Sequence, residues 1–103
     1  MKVFTDYSAR QVRLTNERLE HILLHPEMKD MIDKIEETIV DPDFVIKSKS
    51  DESVNLYNKY YLTRYYGYKY LCVVVKENEN DCFIVTSFII NKLPKGDMLW
   101  QKS

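Results

Sequence analysis

Two histidines four positions apart, His21 and His25, are the only histidines in the chain and the residues best suited to acid–base chemistry. Histidine exchanges a proton near neutral pH, so it serves readily as a general acid or base. On a helix, Arg18, His21 and His25 share one flank because positions i, i+3 and i+7 align. The pair is a candidate proton-transfer site, and the alternative is two surface histidines near a helix end. A metal site is not predicted, because no cysteine or carboxylate trio is obviously paired with them.

Two further groups of residues could bind or react with a substrate. Tyr57, Lys59 and Tyr61 alternate along a strand-like run and would project from one face. Tyrosine can stack on unpaired bases and lysine neutralises phosphate, although cross-strand aromatic packing explains the tyrosines equally well. Thr86 and Ser87 interrupt an apolar run, where a hydroxyl must be hydrogen-bonded. They are either structural hydroxyls or a catalytic or phosphate-binding alcohol.

The strands that would position these groups centre on residues 68–76. This run contains Val73, Val74 and Val75 and is apolar at both parities, which is typical of a central strand covered on both faces. Strand-like runs at residues 54–64 and 82–90 lie on either side, so the three predict an antiparallel meander. Residues 44–48 predict a fourth strand, and residues 9–14 suggest a short edge strand.

The helices are predicted to precede the sheet. Thr15 or Asn16 caps a first helix that ends at His25, and Pro26 begins a second one. Apolar residues recur along the second helix at helical spacing, namely Met28, Met31, Ile32, Ile35 and Ile39. The tail from residue 91 predicts one short turn that docks Trp100. The expected fold is α+β, one domain over residues 1–103, with N-terminal helices packed on one face of an antiparallel sheet of about four strands.

The predicted strand register assigns the candidate residues to faces. A turn at residues 65–68 would place Leu71 opposite Leu62 and Val73 opposite Tyr60, and a turn at residues 77–80 would place Val73 opposite Ile84. Thr86 would then lie on the face covered by the helices. The open face would carry a larger polar and aromatic set that includes Tyr57, Lys59, Tyr61 and Ser87.

Composition and charge limit the classes of function. The net charge is −1, which by itself argues against a strong nucleic-acid binder. The charge is uneven, however: residues 15–43 carry three basic and nine acidic residues, and residues 44–76 carry six basic and two acidic ones. A basic sheet beside acidic helices can steer a polyanion to one face. No apolar run approaches the ~20 residues of a membrane helix, and no signal peptide is visible, so we expect a cytoplasmic protein.

Several stretches resemble one known group of nucleases. They are RLEHI at residues 18–22, HPEM at 25–28, NLY at 55–57, GYKYLCVVVK at 67–76, DCFIVTS at 81–87 and KGDMLW at 95–100. Together these stretches are similar to a family of small prokaryotic and phage proteins in the barnase–EndoU–colicin–RelE-like (BECR) nuclease superfamily. The resemblance extends over residues 14–100 and is most specific in HPEM and in the strand YLCVVVK.

The resemblance implies metal-independent cleavage of RNA without a cofactor, as in toxin-type ribonucleases that have an antitoxin or immunity protein as partner. By position it implies catalytic roles for His21, His25, Tyr57, Lys59 and Thr86, and a substrate-binding role for Lys69. The shared helix flank and the predicted open face add Arg18, Tyr61 and Ser87 as substrate-binding candidates. The family pattern favours Thr86 as the reacting alcohol, whereas the predicted faces leave Ser87 better exposed. The expected reaction begins when a histidine removes the proton of the 2′-hydroxyl group of RNA, whose oxygen attacks the adjacent phosphorus. A lysine would stabilise the developing charge, and the second histidine or Tyr57 would protonate the leaving oxygen.

Two positions depart from the family pattern. Leu24 stands where the family commonly has an arginine, and Lys59 follows Asn58 where the family tends to have an arginine. Lysine does not replace arginine in clamping a phosphate. These departures support an alternative hypothesis, that the chain is a catalytically inactive relative that binds a protein or nucleic acid. A third hypothesis is a binding domain unrelated to the superfamily.

Overall fold

The structure, a computed structural model that describes residues 1–103, is dominated by β-strands. The seven strands are β1 (Lys2–Thr5), β2 (Gln11–Leu14), β3 (Phe44–Ser48), β4 (Val54–Thr63), β5 (Gly67–Asn78), β6 (Asp81–Ile90) and β7 (Gly96–Gln101). The two helices are α1 (Asn16–Ile22) and α2 (Ile32–Val40), and a single 3-10 turn, Pro26–Met28, lies between them.

All seven strands form one mixed sheet in the order β1-β2-β6-β5-β4-β3-β7. The predicted fold class, helices on an antiparallel sheet of about four strands, is therefore wrong in strand number and in sheet type. The predicted meander β4-β5-β6 forms the centre, and β3 lies beside β4. The edge strand suggested at residues 9–14 is β2, which runs parallel to β6. The prediction lacked this parallel pairing and the two outermost strands, β1 beside β2 and β7 beside β3.

The C-terminal residues show why the outer strands of the sheet were not predicted. Residues 96–101 form an edge strand on β3 instead of the predicted turn, with Trp100 opposite Val45. The pairing depends on Gly96, because a Cβ at this position would lie 2.0 Å from the Lys47 carbonyl oxygen. Trp100 does dock, by stacking on Tyr7 with 5.1 Å between ring centroids. Such pairing joins residues about fifty positions apart, which no local periodicity reveals.

The helices are shorter than predicted and pack on one face of the sheet. Thr15 caps α1 by accepting a hydrogen bond from the amide of Arg18, and α1 ends at Ile22 rather than at His25. The second helix is split into the 3-10 turn and α2, yet its apolar stripe is buried as predicted at Met28, Met31, Ile35 and Ile39. At seven and nine residues, neither helix has the length and apolar character to cross a membrane.

The strand register differs from the predicted one by an odd number of residues, which exchanges the faces of β4. Leu71 lies opposite Lys59 rather than Leu62, and Val73 opposite Tyr57 rather than Tyr60. The difference arises because the β4–β5 turn closes at Thr63 and Gly67. The Thr63 hydroxyl donates to the Gly67 carbonyl and accepts from the amide of Tyr66, and Gly67 has φ +73°, which glycine adopts without strain.

The exchange of faces changes which candidate residues lie under the helices and which lie on the opposite face of the sheet. Tyr57, Lys59 and Tyr61 project towards the helices, and Tyr60 and Leu62 project away from them. A bulge between Val74 and Val75 shifts β6 in the same way, so that Ser87 lies opposite the core residue Val73. Ser87 therefore faces the helices and Thr86 the opposite side, the reverse of the prediction.

Candidate active site

A groove runs between the segment of residues 26–34 and the β4–β5 hairpin. It consists of three adjoining cavities of about 300, 460 and 610 Å³. The first two cavities share Glu27 and Tyr66, and the last two share Asp30 and Arg64. We call this the hairpin groove. Its basic residues are Lys29, Lys34, Arg64 and Lys69 and its acidic ones Glu27 and Asp30, so it is positive on a chain whose net charge is −1.

One wall of the hairpin groove is the HPEM stretch. His25 has an extended backbone (φ −85°, ψ 112°), as expected before proline, and Pro26 begins the 3-10 turn. Met28 is fully buried and anchors the turn to the core. Glu27 then lines the groove, and its Oε1 lies 3.9 Å from Nδ1 of His25. The wall thus places an imidazole next to a carboxylate at the groove rim.

The facing wall carries Lys69. This residue lies opposite Tyr61 on the helix side of β5, and its Nζ donates to Oδ1 of Asn91. Lys69, Asn91 and Glu27 line the same 300 Å³ cavity. Because Asn91 is neutral, the ammonium charge of Lys69 is not cancelled by its partner and is available to an anion.

His21 and Arg18 lie beside the groove and not inside it. The ring of His21 is perpendicular to that of His25, with 6.1 Å between the centroids. Both Arg18 and His21 line a separate shallow depression with Leu24. Leu24 is 77 % exposed there, at the position where an arginine was expected from the resemblance. The two histidines are therefore neighbours, and only His25 contacts a groove residue.

Tyr61 lies beneath the hairpin groove. Its hydroxyl is buried with no hydrogen-bond partner, and burial raises the pKa of this phenol. The Nζ of Lys34 lies 5.8 Å from the centre of its ring. The residue supports the groove floor, and its hydroxyl does not point into open solvent as the predicted substrate-binding role requires.

Tyr57 is buried in a separate polar cluster. Its hydroxyl donates to Oδ2 of Asp6 at 2.5 Å and accepts from Nη2 of Arg10 at 3.1 Å. Burial and the adjacent Asp6 carboxylate raise the pKa of Tyr57. Its strand position is four residues from that of Tyr61, or ~13 Å along β4. The structure therefore separates Tyr57 from His25 and Lys69.

The remaining members of this cluster were not recognised from the sequence. Arg10 pairs with Glu77, which also accepts from Nδ2 of Asn55 at 2.7 Å. Asp6 and Arg10 belong to the β1–β2 turn, and Glu77 belongs to the end of β5. Glu77 is 67 positions from Arg10 in the sequence, so only the polar character of the β1–β2 turn pointed to this cluster.

Lys59 is held by carboxylates away from the groove. Its Nζ donates to the Asp41 carbonyl oxygen at 2.6 Å and lies 3.2 Å from Oδ2 of Asp41 and 3.9 Å from Oδ1 of Asp43. Hydrogen bonds from Lys102 and Lys59 hold the pKa of Asp41 below its usual value. A phosphate would have to displace two carboxylates to reach this ammonium group.

The two alcohols are also outside the groove. Ser87 is fully buried and donates to the Cys72 carbonyl oxygen at 2.9 Å, which is a structural role. Thr86 lies on the opposite face of the sheet, and its Oγ1 is buried without a partner. Of the nine predicted site residues, Lys69 lines the groove and His25 lies at its rim beside Glu27, with His21 and Arg18 beside the groove and Tyr61 beneath it.

No three histidine, cysteine, aspartate or glutamate side chains converge into a group that could hold a metal ion.

A family described as phage-Barnase-EndoU-ColicinE5/D-RelE like nuclease2 has a sequence model that matches residues 1–101. The match confirms the resemblance inferred from HPEM and YLCVVVK and extends it to β1. No curated protein and no solved structure gives a significant match.

Proposed function

This chain belongs to the phage Barnase–EndoU–ColicinE5/D–RelE-like nuclease family, and from that premise we propose that it is an endoribonuclease whose active site is the hairpin groove. The reaction is attack by the 2′-hydroxyl oxygen on the adjacent phosphorus, and it requires no metal ion. The observation that carries the proposal is that Glu27 and Lys69 line the same cavity of the groove, and that Nδ1 of His25 lies 3.9 Å from Oε1 of Glu27.

In this reaction His25 removes the proton of the 2′-hydroxyl group, and Glu27 stabilises the resulting imidazolium through its negative charge. The new O2′–P bond forms as the P–O5′ bond breaks, which gives a 2′,3′-cyclic phosphate and a free 5′-hydroxyl. Lys69 neutralises the charge that develops on the phosphate oxygens. His21, the neighbouring imidazole, supplies the proton for the leaving oxygen. DNA is not a substrate because it lacks the attacking hydroxyl.

We further propose that the activity is that of a cytoplasmic toxin. A ribonuclease without strict sequence requirements would damage the RNA of the cell that makes it. An antitoxin or immunity protein that covers the groove would prevent this damage. Its contact surface would be acidic, since the groove is lined by four basic and two acidic residues.

The test is cleavage of a mixed RNA pool in EDTA by the wild type and by His25→Ala, His21→Ala and Lys69→Ala. We expect cyclic-phosphate ends from the wild type, little product from His25→Ala and Lys69→Ala, and an intermediate loss from His21→Ala. Lys2→Ala is the matched control, because Lys2 is an exposed lysine on β1. Cleavage that all variants retain would refute the assignment of the groove. Absence of cleavage by the wild type would favour the inactive, RNA- or protein-binding relative.

A further inference from the structure

The end of the β4–β5 hairpin has an unusual composition. Residues 60–69, which we call the hairpin tip, contain five of the eight tyrosines of the chain, together with Arg64 and Lys69. They contain no aspartate or glutamate, although acidic residues outnumber basic ones in the whole chain. Tyrosines and basic residues without carboxylates form a surface that suits a polyanion carrying flat aromatic groups.

The hairpin tip extends beyond the rest of the sheet. On one side β3 begins at Phe44, opposite Asn58, and on the other side β6 ends at Ile90, opposite Tyr70. Beyond these two levels β4 and β5 pair only with each other. Thr63 is five residues beyond Asn58 and three beyond Tyr60, the partner of Tyr70, which corresponds to ~17 Å and ~10 Å at the usual rise of a strand. The tip is therefore a two-stranded ribbon without neighbouring strands, and its face away from the helices is the exposed one.

The two faces of the ribbon differ. The face towards the helices carries Lys69 and forms one wall of the hairpin groove. The opposite face carries Tyr60 and Tyr68, whose rings are stacked with a 5.4 Å centroid distance and an 11° angle between their planes. Tyr60 also lies 4.9 Å from the ring of Tyr70. Tyr60 and Tyr68 are 51 % and 61 % exposed, so their rings are open to a ligand.

We propose that the hairpin tip binds single-stranded RNA, with unpaired bases stacked on Tyr60 and Tyr68 and phosphates held by Arg64 and Lys69. The proposal rests on the function proposed above and names the form of RNA that the groove receives. Base–aromatic stacking binds any base, because each base has a π-face. In a duplex the base faces are buried in the helical stack, so they cannot reach the tyrosines. Arg64, which lies over the ring of Tyr65 and lines the groove, connects the two faces at the tip.

The experiment measures binding without cleavage. A fluorescently labelled 2′-O-methyl oligonucleotide lacks the attacking hydroxyl, and its affinity for each variant is measured by fluorescence anisotropy. We expect Tyr60→Ala and Tyr68→Ala each to weaken binding at least fivefold, the lower limit of ~1 kcal/mol per stacked base. Tyr68→Phe keeps the ring and should bind like the wild type. Met98→Ala is the matched control, because Met98 is a half-exposed apolar residue on the same face of the sheet.

The outcomes separate this inference from the proposed function. If the wild type cleaves RNA in EDTA but the alanine variants bind the oligonucleotide as tightly as the wild type, the hairpin tip is not the binding surface and the ribonuclease proposal stands. If binding depends on Tyr60 and Tyr68 but no RNA is cleaved, the tip proposal stands and the ribonuclease proposal fails. Equal binding of a duplex also overturns the tip proposal. Loss of a dimer in sedimentation with unchanged RNA binding would assign this face to a second copy of the chain.

Discussion

Replacement of Tyr57 by phenylalanine isolates the polar cluster at the β1–β2 turn. The substitution removes one oxygen atom and leaves the ring in its buried site, so no large cavity forms. The Asp6 carboxylate loses the 2.5 Å hydrogen bond to its Oδ2. Its Oδ1 keeps three bonds, from the amides of Ser8 and Arg10 and from the Ser8 hydroxyl, all at 2.9 Å.

The expected loss of stability follows from the environment of the hydrogen bond between Tyr57 and Asp6. A hydrogen bond to a charged group contributes ~1.5–3 kcal/mol to stability. Oδ2 of Asp6 keeps its ion pair with Nε of Arg10 at 3.4 Å. The free energy of unfolding should therefore fall by an amount near the middle of the range, about 2 kcal/mol. For a domain of about 100 residues this corresponds to a fall in Tm of ~8–16 °C.

The loss of stability caused by Tyr57→Phe should be smaller in acid than at neutral pH. Burial alone would raise the pKa of Asp6, but hydrogen bonds from Tyr57, Arg10 and Ser8 outweigh it and hold the pKa below its usual value. A carboxyl group whose pKa is lowered by folding stabilises the protein above its unfolded-state pKa of ~3.9, and this stability is lost as the pH falls through the folded-state pKa. The difference between wild type and Tyr57→Phe is therefore full at pH 7 and shrinks in acid below pH ~4.

The assay is urea denaturation followed by circular dichroism at pH 7 and at about pH 3, together with RNA cleavage in EDTA. Tyr65→Phe is the control for the unfolding measurement alone, because the Tyr65 side chain is exposed. A loss below ~0.5 kcal/mol at pH 7, where a hydrogen bond to a charge contributes more, would refute the reasoning. So would a difference that persists unchanged in acid. Lost cleavage in folded Tyr57→Phe would return Tyr57 to the list of reacting groups.

Three further substitutions test the placement of residues. Lys59→Gln should leave the rate of RNA cleavage within about twofold of wild type, whereas Lys69→Gln should lower it ~10²-fold, because only Lys69 lies where charge develops in the proposed reaction. Single-turnover cleavage at saturating enzyme compares the two rates. Thr86→Val removes a buried hydroxyl that has no partner, so the free energy of unfolding should stay equal or rise by ~1 kcal/mol, as measured in urea, with activity unchanged. Gly96→Ala should detach β7 from β3, because the added Cβ would lie 2.0 Å from the Lys47 carbonyl oxygen. Faster amide hydrogen exchange confined to these two strands would show the detachment, and unchanged protection would contradict it.

The sequence predicted the elements whose signals are local. The valine run of residues 73–75 lies in the central strand β5, as expected from its apolar residues at both parities. The stripe of Met28, Met31, Ile35 and Ile39 is buried, as its helical spacing indicated. In both cases burial follows from the order of side chains along one element, and no knowledge of its neighbours is needed.

The outer strands and the register depend on distant partners. β1 and β7 are short and have no marked alternation, and each is defined by its pairing with another strand. The register of β4 depends on one turn, where the Thr63 hydroxyl closes the loop at Thr63 and Gly67 instead of at residues 65 and 68. Since side chains alternate along a strand, that single difference moved Tyr57 and Lys59 from the open face to the helix side.

The candidate site was recoverable only in part. The resemblance identified Lys69, which lines the groove, and His25, which lies beside the groove residue Glu27. It did not separate them from Tyr57, Lys59 and Thr86, because a family pattern gives positions in the sequence and no distances. Glu27 was within the recognised HPEM stretch but was not assigned a role, since its proximity to Lys69 arises from tertiary packing.

The parallel pairing of β2 with β6 has a consequence for synthesis on the ribosome. Val12 and Arg13 pair with Cys82 and Phe83, which emerge seventy residues later. The N-terminal strands thus leave the ribosome first but cannot join the sheet until β6 has emerged. The hairpin groove also forms late in synthesis, since its lining residues include both Glu27 and Asn91. Under the function proposed above, a nascent chain therefore has no complete groove until residue 91 has left the ribosome, and this delay would protect the translating ribosome and its message from cleavage.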